Sequence, residues 1–364
     1  MTEEARKPLA AVALALAVLS YYFIAAGRLE PEFVLAPAWT ANLDRAGSAD
    51  AFATPATGAA ASEAVALGFE LGRFHGQVGP DGRILHVGLR DFRSAVSDGY
   101  VIPYDFDSDG LTVLDSVGAP SYEIKAPGAP WFSSGRLFLA GPEMGSVSEY
   151  SGSGELLWSL DFGAPISAFA ADEGLAVAGL VDGTIVAIER DGSVALRTAP
   201  GGSRIEIILG LAVDSERGRI AAICGIDRQR FVLLTRTGGA YRVASHSYLS
   251  TDFRRPVSIR LSADGRHAWY EGATGIVVRR LEDGSESTLD LPSRDFTISE
   301  DPSRGLTYLL SRDAASATLV VVSPPDRVLG RYVLPGADAF ARAYGDLVFT
   351  GSGERLAAFA AGED

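Results

Sequence analysis

The sequence predicts an all-β fold: a seven-bladed β-propeller of four-stranded antiparallel blades, preceded by one N-terminal transmembrane helix. Three observations predict it. A turn glycine introduces a short apolar run at Gly99, Gly135, Gly174, Gly218, Gly265, Gly305 and Gly345, a period of about 40 residues that belongs to propeller blades. A second series of turns falls between these, at Gly82, Gly118, Gly154, Gly192, Gly239, Gly284 and Asp326. Ahead of both, Pro8 to Ala26 is apolar and carries no charge.

The chain divides into residues 1–27, a cytoplasmic tip and transmembrane signal anchor; 28–65, a flexible linker; and 66–364, the propeller. The uncharged stretch 8–26 would span about 28 Å as a helix, close to the hydrocarbon thickness of a bilayer. Tyr21, Tyr22 and Phe23 stand where an interfacial aromatic belt would sit. Arg6 and Lys7 would hold the N-terminus inside the cell, placing the propeller on the extracytoplasmic, periplasmic side of the inner membrane. Ala25-Ala26-Gly27 offers a cleavage site, so a cleaved secreted form is the alternative. Residues 28–65 are rich in Ala, Pro, Gly, Ser and Thr and bury too little to fold alone. Docking of Phe33-Val34-Leu35 and Trp39 on the propeller is the other reading of this segment.

One unit shows the grammar of a blade. Residues 166–171 form a plausible strand, 175–181 are almost continuously apolar, and 184–190 and 193–197 alternate, with turns at Asp172-Glu173-Gly174, Asp182-Gly183 and Asp191-Gly192. Asp-Gly between alternating runs is a strong hairpin signal. Inner strands, covered on both faces, can be continuously apolar, whereas an outer strand meets water. The last inner turn is at Gly345 and the first unpaired outer turn at Gly82. The closing blade is therefore expected to combine residues 338–351 with the N-terminal hairpin around Gly82, which ties both termini together and removes free edges. The apolar run Leu356 to Ala360 could itself supply the third strand of that blade and leave only residues 83–88 as the fourth, and an eighth, partial blade is the less favoured alternative.

The formal net charge is −14, and such a surface repels phosphate backbones, so no nucleic-acid partner is expected. Cys224 is the single cysteine and sits in an apolar run, which excludes an intrachain disulfide. His75 and His86 fall on the predicted N-terminal hairpin, while His246 and His267 lie in other blades; the spacing shows no convergence on a metal or substrate, and all four are read as structural. Trp131, Trp158 and Trp269 are read as blade packing.

Residues Gly145 to Asp161 end in Gly154-Glu155-Leu156-Leu157-Trp158. This segment resembles a repeat of the PQQ-like (pyrroloquinoline-quinone-like) propellers, with WD40-like propellers as close relatives. The resemblance implies that Trp158 packs between blades. That superfamily holds quinone-dependent dehydrogenases and non-catalytic relatives, among them an envelope lipoprotein that assists outer-membrane protein assembly. A lone cysteine lacks the paired thiols of the dehydrogenases, so the resemblance points to the non-catalytic branch.

The sharpest chemical candidate is Asp105-Phe106-Asp107-Ser108-Asp109-Gly110. Three carboxylates at alternate positions before a glycine open a calcium loop, so Asp105, Asp107 and Asp109 are the candidate metal ligands. Position twelve is Ser116 rather than a bidentate Glu, and the competing reading is an ordinary Asp-rich turn. No other cofactor is expected. The expected function is a membrane-tethered, protein-binding or scaffolding module of the cell envelope, without catalysis. Its partner is a protein or envelope component held by a propeller face. The competing class is an enzyme, or a ligand or calcium sensor, with its site in the central channel.

Overall fold

A computed structural model describes residues 14–16, 20–21, 33–45, 65–89, 93–105, 108–292 and 294–363. Eight antiparallel sheets follow one another along the chain, seven of four strands and one of three. Blades 1 to 8 comprise residues 67–89, 93–124, 129–161, 166–198, 208–248, 259–289, 295–335 and 340–363, the last completed by Phe33–Asn42.

The ring therefore has eight blades, not the expected seven. The two turn series do number seven each, but they belong to different blades. First-to-second-strand turns occur in blades 2 to 8, and third-to-fourth-strand turns in blades 1 to 7. Blade 8 has no outer turn because its fourth strand arrives from the other end of the chain, and blade 1 shows no inner turn among the described residues.

Strand direction explains the second gap. The Gly68 N–H donates to Asp98 in the first hairpin of blade 2 at 2.9 Å, while the Ser94 hydroxyl, at the opposite end of that blade, donates to Glu70 at 2.6 Å. Leu67–Leu71 thus runs antiparallel to Arg93–Ser97, as a second strand does. Blade 1 supplies strands two to four, and no described residue fills its innermost position.

Closure also differs from expectation. The hairpin around Gly82 belongs to blade 1 and does not complete the last blade. Arg355–Glu363 is the third strand of blade 8, and Phe33–Asn42, inside the segment expected as linker, pairs with it in register from Phe33 opposite Glu363 to Asn42 opposite Arg355. The bulge between Pro37 and Trp39 accommodates the proline, which lacks an N–H for the ladder.

Among the described residues no helix is long and apolar enough to cross a membrane, so the transmembrane helix expected over residues 8–26 is not among the elements described. Of that span only residues 14–16 and 20–21 are described, as helix; the rest of 8–26 lies outside the described residues.

The core lies between neighbouring blades. Leu175, Val177, Ile185 and Ala187 of blade 4 pack on Ile208, Leu211 and Ile220 of blade 5, and the other apolar clusters follow this pattern. Leu175–Leu180 is buried throughout, whereas every residue of Val194–Thr198 at the rim is exposed or half-buried. Each buried leucine- or isoleucine-sized side chain contributes about 1.5–3 kcal/mol of transfer free energy, so the ring is stabilised interface by interface.

A repeated contact adds to this at four interfaces. An aromatic ring on the outermost strand of one blade lies against the outer-turn glycine of the next: Trp39 on Gly82, His86 on Gly118, Tyr122 on Gly154 and Trp158 on Gly192. At Gly192, where φ is +85°, a Cβ would stand 2.5 Å from that of Trp158, so glycine answers both the backbone and the close approach.

Candidate functional site

Because each blade is an antiparallel meander, its first-to-second and third-to-fourth turns emerge on one face of the ring. Its second-to-third turns and the crossovers between blades emerge on the other. These are called the hairpin face and the crossover face.

On the crossover face of blades 3 to 5, exposed apolar side chains occur on consecutive loops. Met144 is 41% exposed, Val181 42%, Ile205 53% and Tyr248 50%. The loops are joined to one another. The Ile166 N–H donates to the Met144 carbonyl at 2.8 Å, Val181 N–H to Pro165 at 3.0 Å, and Ile226 N–H to Ile205 at 3.3 Å. Gly183 packs on the backbone of Glu206, and the Arg228 guanidinium lies 4.2 Å from the Tyr248 ring centroid. Met144 has φ of +55°, a left-handed conformation that is uncommon for a non-glycine residue and costs energy. A large apolar side chain is thus held outward by a strained turn.

The hairpin face carries cavities over blades 4 to 7. One, of about 650 Å³, is lined by Arg219, Arg266, His267, Arg280, Leu281, Glu282 and the Pro324-Pro325 turn. A second, of about 350 Å³, adjoins it through Arg266, His267 and Pro324 and adds Asp264, Glu300 and Asp301. Burial holds the His267 imidazole below its ordinary pKa, opposed by Asp264, whose nearest oxygen is 4.0 Å away. Burial also raises the Glu300 carboxyl, although Ala263 N–H donates to it at 2.6 Å. A third cavity, of about 440 Å³, opens among the inner turns of blades 4 to 6 and is lined by Asp172, Glu173, Asp214, Glu216 and Arg217. Much of this acidity is structural. Asp172, for example, accepts from Gly174, Leu175 and Ser215 N–H groups.

The candidate calcium loop joins the second and third strands of blade 2 on the crossover face. Asp105 and Asp109 are exposed, and the Asp105 carbonyl accepts from Ser108 N–H at 3.3 Å. Asp107 lies outside the described residues. Among the described residues no three His, Cys, Asp or Glu side chains gather as a metal site. His75 and His86 come together, ring centroids 6.3 Å apart, in blade 1, while His246 and His267 stand in blades 5 and 6. Cys224 is buried, which pushes its thiol pKa up.

Trp158 lies between blades 3 and 4. Its indole N–H donates to Glu149 at 2.7 Å, and this carboxylate, 1% exposed, also receives Arg136 at 2.5 Å and Arg190. Arg136 continues to the Asp172 carbonyl at 2.8 Å, tying blade 3 to the inner turn of blade 4. Trp131 stacks on Phe138 and meets Phe169 edge-on, and Trp269 is fully buried, so all three tryptophans pack within or between blades. The sequence reading missed the crossover-face patch and the arginine-lined cavity, whose residues come from separate blades.

A family model described as beta-propeller protein matches residues 1–363. A protein of Treponema pallidum (strain Nichols), described as uncharacterized, is 27% identical over 271 residues, 74% of this chain and 72% of that protein. Among solved structures, BamB from Moraxella catarrhalis is similar over 90% of this chain and 100% of its own, with a TM-score of 0.57 and 15% identity. The dihydro-heme d1 dehydrogenase NirN, in complex with DHE, is similar over 70% of this chain and 58% of its own, with a TM-score of 0.51 and 16% identity. The computationally designed Ika8 protein gives a TM-score of 0.58 at 12% identity, over 82% of this chain and 96% of its own. These likenesses bear out the PQQ-like and WD40-like propeller resemblance at the level of fold.

Proposed function

The chain belongs to the β-propeller protein family, and from that premise we propose that it is a non-catalytic protein-binding module that engages its partner through the crossover face of blades 3 to 5. The observation that carries this reading is the run of exposed Met144, Val181, Ile205 and Tyr248 on hydrogen-bonded loops, with Met144 held in a left-handed turn. Exposed large apolar side chains gathered on neighbouring, hydrogen-bonded loops of a rigid frame favour an interaction site, and Met and Tyr suit the buried centre of an interface. The likeness to BamB supports the reading by analogy of fold alone. The uncharged segment 8–26 supports attachment to the inner membrane with the propeller on its periplasmic side.

The test is site-specific photocrosslinking in intact cells, with the probe placed at Met144 or Val181 and, as control, at exposed Arg331 on the outer strand of blade 7. The reading predicts one protein adduct of constant size from the first two positions and none from the third. Equal labelling at all three, or no adduct at any, would overturn it.

A further inference from the structure

The arginine-lined cavity on the hairpin face has no part in that reading. Its arginines come from different elements: Arg219 opens the second strand of blade 5, Arg266 lies in the first hairpin of blade 6, and Arg280 ends the third strand of blade 6. In a chain of net charge −14 this convergence of cations is unusual. The charges are also poorly neutralised. Arg219 donates to the Gly265 carbonyl, which fixes its guanidinium, and among the described residues it pairs with no carboxylate. Arg266 has 79% of its side chain exposed, and the Asp264 oxygen is 3.9 Å from its Nε, beyond hydrogen-bond reach. Arg280 meets Asp283 at 3.2 Å on the surface, where such a pair is worth about 0–1 kcal/mol and yields to a better partner. Among the described residues, Glu282 is the one carboxylate in the lining.

Two further features point to a ligand. His267 is 7% exposed and lines the cavity, yet its Nδ1 has no hydrogen-bond partner among the described residues. Leaving a buried polar atom unpaired costs about 1–3 kcal/mol. The cavity is not wholly polar, because Leu281, Pro324 and Pro325 form an apolar wall beside the cations. Its volume of about 650 Å³ falls in the range of small-molecule sites.

We infer that this cavity binds a small molecule carrying an oxyanion, phosphate or carboxylate, whose charged end is held by Arg219, Arg266 and Arg280 and whose apolar body lies on Leu281, Pro324 and Pro325. Planar guanidinium groups match both oxyanions through paired N–H donors.

The test is calorimetric titration of the whole protein with phenyl phosphate, benzoate, inorganic phosphate and, as the uncharged control, phenol. The inference predicts saturable binding of phenyl phosphate or benzoate with Kd of about 1 mM or below. The stronger of these two identifies the oxyanion, and the phosphate ion alone should bind more weakly than its phenyl ester. Arg266→Ala and Arg280→Ala should each weaken the favoured ligand about tenfold, while Arg204→Ala, an exposed arginine outside this cavity, should leave it unchanged. Both target side chains reach solvent, so thermal melting of the variants is expected to match the parent. No binding of either aromatic anion, or binding that survives both substitutions, would overturn the inference. The photocrosslinking result does not bear on it, since the probes there sit on the opposite face.

Discussion

The Trp39 indole lies flat against the backbone of Gly82, so that a Cβ there would stand 2.6 Å from the ring, and its N–H donates to the Pro80 carbonyl at 2.8 Å. Strand Phe33–Asn42 is thereby fixed on two sides, to Arg355–Glu363 by its ladder and to blade 1 by this ring. Trp39→Ala should destabilise the protein by about 3–5 kcal/mol, the range for removing a buried large aromatic. Gly82→Ala should also destabilise, because φ is +85° and the methyl meets the indole. Chemical denaturation followed by far-UV circular dichroism measures both.

The buried carboxylate of Glu149 predicts an asymmetry. Glu149→Ala leaves Arg136, 4% exposed, without its counter-charge and should cost about 3–5 kcal/mol. Arg190→Ala removes a partner whose side chain is 55% exposed and should cost about 1 kcal/mol or less. Equal losses in denaturation would contradict this division.

His86 gives the pH dependence a direction. Burial against Gly118 lowers its pKa in the fold, with Asp115 opposing. The unfolded chain, with a His pKa near about 6.5, therefore takes up more protons as the medium is acidified. The stability tied to the neutral ring is complete above about pH 6.5 and is lost as pH falls towards the lowered folded value. His267 shifts the same way. The melting temperature should drop between about pH 7 and pH 5, and His86→Tyr, which installs the residue type found at Tyr122, should flatten that drop. A melting temperature independent of pH in the parent protein would contradict it.

The crossover-face patch predicts loss of partner without loss of fold. Met144→Asn, which tolerates a left-handed turn, combined with Val181→Ser should reduce partner recovery at least about tenfold, with unchanged melting.

Part of this architecture is legible in the sequence. The hairpins of blades 2 to 7 follow from their glycines, and Trp158 packs between blades as its motif implies. A further signal is present: His86, Tyr122 and Trp158 each stand four residues after an outer-turn glycine. That spacing puts one ring per blade on the next, and reading it would have set the hairpin at Gly82 in a blade of its own. The closing strand is harder to see. In Phe33–Asn42, Pro37 and three alanines interrupt the strand-favouring Phe33, Val34, Trp39 and Thr40, and the segment owes its conformation to the edge of Arg355–Glu363 rather than to a local turn. The arginine cavity was hidden for a similar reason. Arg219 and Arg280 are far apart in sequence and meet only because blades 5 and 6 are neighbours in the ring.

Hydrogen exchange at Phe33–Asn42 tests the eight-bladed ring most directly. If this segment closes blade 8, its amides hydrogen-bonded to Arg355–Glu363 should exchange as slowly as those of the outer strands of blades 3 and 4. Exchange at the rate of an unstructured peptide across these residues, with the rest of the propeller protected, would contradict the closure.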